Sequence, residues 1–233
     1  MGQMINRRRV ITDYVDPFKD YNNLIFHLDG NDELTDGYWV DKVMGTKWIA
    51  SGTPVHTDDG GWEVDYNNNF RITPSPNESG FYLPQYYKIE ITFKWIDRNG
   101  WLVDLGSVAG AQVALGVLGR SSGYYTDNYK LLGNSNASKY GVFNNPKCPI
   151  INFGEKTTFL YGCVKKNVTE DIQVLQSKKK VIKSQNPHQP VTVPPGGWRL
   201  DNVFNNFWIG RAANRTIDYS GHGVIYDIKI YSK

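Results

Sequence analysis

The sequence predicts an all-β protein folded as a two-sheet antiparallel β-sandwich. Three observations indicate this. Short runs of residues alternate between apolar and polar side chains, turn-forming residues separate these runs, and no segment has the apolar spacing of a helix of three or more turns. With 233 residues, the chain is long enough for one large β domain with a substantial core.

The clearest strand lies at residues 88–95, where large apolar side chains alternate with polar ones. Such a strand has one face in the core and one in water, as antiparallel sheets usually do. The apolar set is Ile89, Ile91, Phe93 and Trp95. A shorter run at 62–66 predicts a strand with Glu63 and Asp65 on its solvent face. Its core face would hold Trp62, Val64 and Tyr66.

The remaining runs complete a set of about 11–13 strand candidates, a number that suits two stacked sheets. Residues 24–29 alternate near the start of the chain, and residues 224–231 alternate near its end. Residues 157–164 have the pattern of a buried strand, and residues 170–183 that of a hairpin with a lysine-rich flank. Turn-forming residues lie between the runs, at 58–61, 99–100, 121–123, 194–197 and 220–223.

Residues 1–20 differ from the rest of the chain because they show no sustained alternation. Three consecutive arginines, Arg7, Arg8 and Arg9, are followed by several aspartates. We predict an extended N-terminal arm that becomes ordered when it docks on a partner through these arginines. The alternative is a disordered leader. Residues 21–233 would form the sandwich domain.

Both ends of the predicted domain carry recognisable patterns. They are NLIFHLDG at 23–30, GGWEVDYNNNFRI at 60–72 and WIGRAANRTIDYSGHGVIYDIKIYSK at 208–233. These patterns resemble the opening and closing strands of laminin-G-like domains in the concanavalin-A-like superfamily. The resemblance implies a jelly roll whose first and last strands pair in one sheet, with loops gathered at one rim. It does not imply a particular function, because one fold hosts many.

The leader carries a second resemblance. Asn6–Arg9, followed by a domain of this kind, is similar to virion proteins of crAss-like phages that infect gut Bacteroidetes. This implies a non-catalytic structural or adhesive virion component, such as a head fibre, decoration or tail protein. Its arm would bind other virion proteins or identical subunits, and its lectin-like sandwich would contact host-surface glycans. We expect a homo-oligomer, because copies multiply weak contacts.

The alternative is a free-standing bacterial carbohydrate-binding module, secreted or at the cell surface. A secreted module needs an export signal, and the first 20 residues contain no apolar stretch of that kind. We therefore favour the virion hypothesis. No basic patch is dense enough to indicate nucleic acid, and the longest uncharged stretch, 105–119, is too short to span a bilayer. The predicted partners include neither nucleic acid nor a membrane.

Glycoside hydrolases of the laminarinase type share this fold and suggest an enzymatic alternative. Those enzymes place three carboxylates on one strand, where alternation gives them a common face. Here Glu63 and Asp65 match the first two carboxylates, but the acid/base position holds Asn67 or Asn68. An amide cannot donate a proton to a leaving group. We therefore predict that the protein is not an enzyme and has no catalytic residues.

Two acidic loops raise the question of a metal ion. Their carboxylates are ligands that calcium prefers, but their spacing follows no fixed calcium motif. The residues are Asp29, Asp32, Glu33, Asp36, Asp58 and Asp59. The four histidines lack zinc spacing, and the two cysteines, Cys148 and Cys163, form no CxxC motif. We predict no metal site and no cofactor, with calcium as the open alternative.

Aromatic loops are the predicted ligand site, since sugars bind to flat aromatic rings flanked by hydrogen-bonding groups. The segment GYYTDNY at 123–129 supplies Tyr124, Tyr125, Asp127 and Tyr129. Trp198, which follows the PPGG turn at 194–197, is the other ligand-binding candidate. The alternative is that these tyrosines cap the sandwich or lie in a subunit contact.

Overall fold

The computed structural model describes the chain in ranges within which every regular element is a β-strand. The ranges are 18–72, 81–83, 87–98, 101–104, 116–118, 130–132, 153–163, 172–175, 180–183, 198–200, 208–211 and 220–233. This confirms the predicted all-β class. Within these ranges, no helix is long and apolar enough to cross a bilayer.

The strands of the described ranges form two large antiparallel sheets and one small pair. They are β1 (Asn23–Asp29), β2 (Tyr38–Val40), β3 (Lys47–Ser51), β4 (Val55–His56), β5 (Trp62–Val64), β6 (Asn69–Ile72), β7 (Phe81–Leu83), β8 (Tyr87–Arg98), β9 (Trp101–Asp104), β10 (Gly116–Leu118), β11 (Lys130–Leu132), β12 (Thr157–Cys163), β13 (Ile172–Leu175), β14 (Lys180–Lys183), β15 (Trp198–Leu200), β16 (Trp208–Ile209) and β17 (His222–Ser232). The eight-stranded sheet has the order β14-β13-β12-β8-β17-β5-β4, and β1 also pairs with β17. The seven-stranded sheet has the order β11-β10-β9-β16-β6-β3-β2, and β15 pairs with β7.

The first and last strands of the domain pair with each other. The register of β1 with β17 runs from Asn23 opposite Ser232 to Asp29 opposite Asp227. On its other edge, β17 pairs with β8 from one end to the other. This confirms the predicted pairing, which fixes the C-terminal strand between β8 and β1. The pairing of β13 with β14 likewise confirms the hairpin predicted at 170–183.

The core lies between the two large sheets. The apolar set predicted on β8 is buried, with each side chain at most 3% exposed. The seven-stranded sheet contributes Trp39, Trp48, Phe70 and Ile209. Burial of each such side chain stabilises the fold by about 1.5–3 kcal/mol. The indole N–H of Trp39 donates to the backbone carbonyl oxygen of Asp29 at 2.9 Å, so this ring is buried without an unsatisfied donor.

The strand predicted at 62–66 is shorter in the structure, because β5 ends before Asp65. The Asp65 carboxylate accepts the backbone N–H groups of Asn67 and Asn68, each at 2.7 Å. Aspartate and asparagine favour such local turns over an extended strand. The assignments of Tyr66 to the core and of Asp65 to a strand face are therefore wrong. Tyr66 lies partly exposed at this turn.

A turn at the start of the described chain packs on the outer face of the eight-stranded sheet. Phe18 and Tyr21 are 2% and 4% exposed, and their rings meet edge to face at 5.5 Å. They form a small cluster with Leu160, against which Tyr231 packs. Leu160 lies opposite Glu90 in the register, and residues on either side of Glu90 face the core. The cluster therefore lies on the face directed away from the core.

Candidate functional site: an arginine–aromatic strip

A row of outward-facing side chains crosses four neighbouring strands of the seven-stranded sheet. Tyr38 lies opposite Ile49, Ile49 opposite Arg71, and Arg71 opposite Trp208. Directly opposed residues share one face of a sheet. The alternating neighbours of these residues on β2, β3, β6 and β16 are buried in the core or pack against it, so the row faces outward. Neighbouring strands lie about 4.8 Å apart, which gives the row a length of roughly 14 Å.

A glycine turn after β16 adds two side chains to the row. Gly210 has a φ of 102°, and its N–H donates to the carbonyl oxygen of Leu102 at 2.7 Å. A Cβ at this position would lie 2.9 Å from the carbonyl oxygen of Asp65. Only glycine fits here without strain. The turn brings Arg211 beside Tyr66, with the Arg211 Cζ 4.5 Å from the ring centre.

Two guanidinium groups flank the indole ring of Trp208. The Cζ of Arg211 lies 4.5 Å from the ring centre, and the Cζ of Arg71 lies 5.6 Å from it. Such cation–π contacts are worth about 0.5–2 kcal/mol and hold arginine side chains in place. We call Tyr38, Ile49, Tyr66, Arg71, Trp208 and Arg211 the arginine–aromatic strip. Arg71 is exposed, and the other five residues are partly exposed.

Within the described ranges, the guanidinium groups of the strip have N–H donors that no carboxylate engages. Among the described residues, neither Arg71 nor Arg211 forms a salt bridge with a carboxylate. The Nε of Arg211 is buried and has no hydrogen-bond acceptor in the described part of the chain. Asp104 takes the next register position beyond Trp208, two strands away from Arg71. The strip therefore combines aromatic rings with N–H donors on the outer face of the sheet.

The acidic residues considered for calcium have other partners. The Nζ of Lys42 lies 2.7 Å from the Asp29 carboxylate and 3.0 Å from that of Asp32. Partial burial opposes ionisation of Asp29, but hydrogen bonds from Lys42 and Asn31 outweigh it and lower its pKa from 3.8 to about 2. No group of three or more His, Cys, Asp or Glu side chains in the described ranges is arranged to hold a metal ion.

Asp59, in the second acidic loop, is likewise engaged. It accepts a hydrogen bond of 2.7 Å from the Tyr226 hydroxyl and lies 3.4 Å from the Nζ of Lys94. The hydrogen bonds from Tyr226 and Thr57 lower the pKa of Asp59 to about 2. The Nζ of Lys156 lies over the Tyr226 ring, 3.4 Å from its centre. This cluster holds strands and loops of the eight-stranded sheet together.

The carboxylates of the incomplete hydrolase motif take part in structural contacts. Glu63 faces outward as predicted, because it lies opposite Val224 while its neighbours on β5 are buried. Its Oε1 lies 2.9 Å from the Nε2 of His222, whose Nδ1 lies 2.8 Å from Asp97. Burial opposes protonation of His222, but these two hydrogen bonds outweigh it and raise its pKa. Asp65 closes the turn described above.

The residues predicted from the sequence as sites lie outside what the structure describes. Tyr124, Tyr125, Asp127 and Tyr129 fall in 119–129, and Arg7, Arg8 and Arg9 fall in 1–17. The backbone of Trp198 is in β15, opposite Leu83, and its side chain is outside the description. These assignments, and the boundary between the arm and the domain, stay predictions.

Sequence reasoning missed the strip. The alternation of Phe70, Arg71 and Ile72 is a local signal that could have placed Arg71 on an outer face. The sequence indicated Trp208 only as the first residue of the pattern at 208–233, which resembles the closing strands of a family of domains. No local signal indicates that β16 lies beside β6 and places Trp208 next to Arg71.

Comparison with known proteins identifies similar folds. No protein-family model and no curated protein matches the chain. Domain 4 of an extracellular GH43 arabinanase from Geobacillus stearothermophilus, solved in complex with arabinotriose, matches with a TM-score of 0.53 and 12% identity over 91% of this chain and 93% of that chain. A second match is a structure of botulinum neurotoxin type C, a toxin whose cell entry depends on interaction with two ganglioside molecules. It has a TM-score of 0.50 and 11% identity over 91% of this chain and 48% of that chain. The structural similarity to these two proteins confirms the predicted lectin-like β-sandwich fold.

Proposed function

We propose that this protein is a carbohydrate-binding domain that binds its ligand through the arginine–aromatic strip and performs no catalysis. One observation carries the proposal. Four outward side chains stand in register across adjacent strands, and the guanidinium groups of two arginines lie over the Trp208 ring. A flat row of this kind fits an extended, linear ligand better than a compact one.

The chemistry of the strip suits a sugar. The C–H faces of sugar rings pack against aromatic side chains, and their hydroxyls accept hydrogen bonds. Arg71 and Arg211 supply N–H donors in rigid planar groups beside Trp208. The strip is shallow, so we expect weak binding by a single copy. Several copies in one assembly would raise the overall affinity.

The fold comparison supports the proposal by analogy. The arabinanase domain shares the fold over nearly its whole length and was solved with a bound oligosaccharide. A shared fold does not transfer a site, so the strip rests on its own geometry. The non-catalytic part of the proposal is supported by Glu63 and Asp65, whose contacts are with His222 and with a local turn.

A glycan array followed by titration calorimetry tests the proposal. The wild-type protein should bind a subset of oligosaccharides, and Trp208→Ala should weaken that binding about tenfold or more. Phe153→Ala is the matched control, because Phe153 is an exposed aromatic residue outside the strip, 48% exposed. Binding that Trp208→Ala leaves unchanged, or an array without any bound glycan, would contradict the proposal.

The virion setting is a further part of the proposal, and it is supported by the leader at Asn6–Arg9. In this setting the protein is a head fibre, decoration or tail protein. Its arm attaches it to other virion proteins or to identical subunits. The competing setting is a free-standing bacterial module at the cell surface or in the medium. Mass spectrometry of purified phage particles distinguishes the two. The protein should copurify with particles, and deletion of residues 1–17 should abolish this.

A further inference from the structure

The two arginines of the strip have different contacts from four lysines on the described surface. Those four lysines have carboxylate partners within 4 Å. They are Lys42, Lys88, Lys94 and Lys229. Arg71 and Arg211 instead contact aromatic rings, with no carboxylate partner in the described ranges. Two positive charges therefore stand together beside one indole ring.

The contacts of Arg211 define which groups it can still bind. Its Cζ lies over the rings of both Tyr66 and Trp208, 4.5 Å from each ring centre. The buried Nε has no acceptor among the described residues. Because Nε is buried, an acceptor on a ligand would bind at the Nη groups of this partly exposed side chain. The in-plane N–H groups of a guanidinium match the two oxygens of a carboxylate.

From this arrangement we infer that the ligand of the strip is an acidic saccharide, one whose sugar ring carries a carboxylate. This inference rests on the proposed function. The sugar ring lies against Trp208, and its carboxylate accepts hydrogen bonds from Arg211 or Arg71. The remaining sugar residues extend over Ile49 toward Tyr38. A neutral glycan would leave both guanidinium groups without a counter-charge, so the site discriminates in favour of the acid.

The test uses a panel of uronic-acid and sialic-acid oligosaccharides, each paired with its own methyl ester. The ester keeps the sugar ring and removes the charge. Titration calorimetry should give affinities about tenfold higher for at least one acid than for its ester, the size expected for a charge-assisted hydrogen bond. Raising the salt from about 50 mM to 500 mM should weaken binding of the acid more than that of the ester.

Variants locate the effect. Arg211→Gln and Arg71→Gln should each lower the affinity for the acid about three- to tenfold and lower the affinity for the ester by a smaller factor. Trp208→Ala should lower both affinities. Lys19→Gln is the control, because it removes a positive charge from an exposed site in the turn at 18–22, outside the strip. Circular dichroism of each variant checks that the fold is retained.

The outcomes separate this inference from the proposed function. If acids and esters bind equally well and Trp208→Ala weakens both, the inference is overturned and the carbohydrate-binding function stands. If sulfated oligosaccharides bind more tightly than carboxylated ones, the carboxylate assignment is overturned. If polyglutamate binds as tightly as the acidic sugars, the strip recognises charge alone and the assignment of a saccharide ligand is wrong. If no saccharide binds at all, both proposals are wrong.

Discussion

The guanidinium carbon of Arg211 lies 4.5 Å from the centre of the Trp208 ring. In the sequence, the two residues lie on either side of the turn at Gly210. Trp208 belongs to a register row that runs from Asp104 through Trp208 and Arg71 to Ile49 and Tyr38. One glycine turn therefore places a second arginine beside a row that already contains Arg71. The conformation of this turn determines whether Arg211 reaches Tyr66 and Trp208.

Gly210→Ala should destabilise the protein by about 2–4 kcal/mol and weaken glycan binding. The φ of 102° strains any residue with a Cβ, and that Cβ would also meet the carbonyl oxygen of Asp65 at 2.9 Å. Urea denaturation monitored by tryptophan fluorescence measures the loss. Gly154→Ala is the control, because Gly154 also has a positive φ, of 77°, but a Cβ there meets nothing within 4 Å. Equal losses in the two variants would show that the close contact at Gly210 has no effect.

Phe18→Ala should loosen the turn that packs on the outer face of the eight-stranded sheet. Phe18 is buried against Tyr21 and Leu160, and its removal leaves a gap on the outer face of the sheet rather than in the main core. We expect a loss of about 1–3 kcal/mol and faster amide hydrogen exchange in β12. Phe153→Ala, which removes an exposed ring, should cost less than about 0.5 kcal/mol. Unchanged exchange in β12 after Phe18→Ala would contradict the packing.

The burial of β8 could be predicted from the sequence, because a strict period of two assigns Ile89 and Ile91 to one face without knowledge of any partner strand. The pairing of β1 with β17 could not come from periodicity. It followed from the resemblance of both chain ends to a known family of domains. Tyr66 was misassigned because the alternation continues past Val64, where the aspartate–asparagine turn ends the strand.

The strip depends on sheet order, which local patterns do not specify. Strand β16 lies between β9 and β6, so residues far apart in the sequence become neighbours in register. The ion pair of Lys42 with Asp29 could not be predicted from the sequence for the same reason. The sequence presents Asp29 as one of several loop acids, and only the fold brings the hairpin that carries Lys42 against it.

Asp29→Asn should lower stability near neutral pH and reduce its acid dependence. The folded pKa of Asp29 is about 2, below its ordinary value of 3.8, despite partial burial and because of hydrogen bonds from Lys42 and Asn31. A carboxyl group with a lowered folded pKa stabilises the fold above its unfolded pKa, and this contribution is lost as pH falls from about 4 toward 2. The wild-type advantage should be about 1–2 kcal/mol at pH 6 and smaller at pH 2.5.

Urea midpoints of wild type and variant at the two pH values measure the Asp29 effect. Asp36→Asn is the control, since Asp36 belongs to the same acidic loop and is exposed. It should change stability by less than about 0.5 kcal/mol at either pH. A wild-type advantage for Asp29 that is equal at both pH values would show that the ion pair with Lys42 does not stabilise the fold.

His222→Gln should destabilise the protein more at pH 5.5 than at pH 8.5. Burial opposes protonation of the ring, but hydrogen bonds to Glu63 and Asp97 outweigh it and raise the folded pKa of His222 above 6.5. A raised folded pKa means that the contribution is complete below the unfolded pKa and is lost as pH rises through the folded value. The His222 side chain is 25% exposed, so the effect should stay below about 1 kcal/mol.

Asp97→Asn removes one of the two acceptor charges beside His222. Like His222→Gln, it should make the free energy of unfolding less dependent on pH. Guanidinium midpoints across this pH range measure both variants, and a wild-type advantage that grows with pH would contradict the assignment of a protonated His222 between two carboxylates.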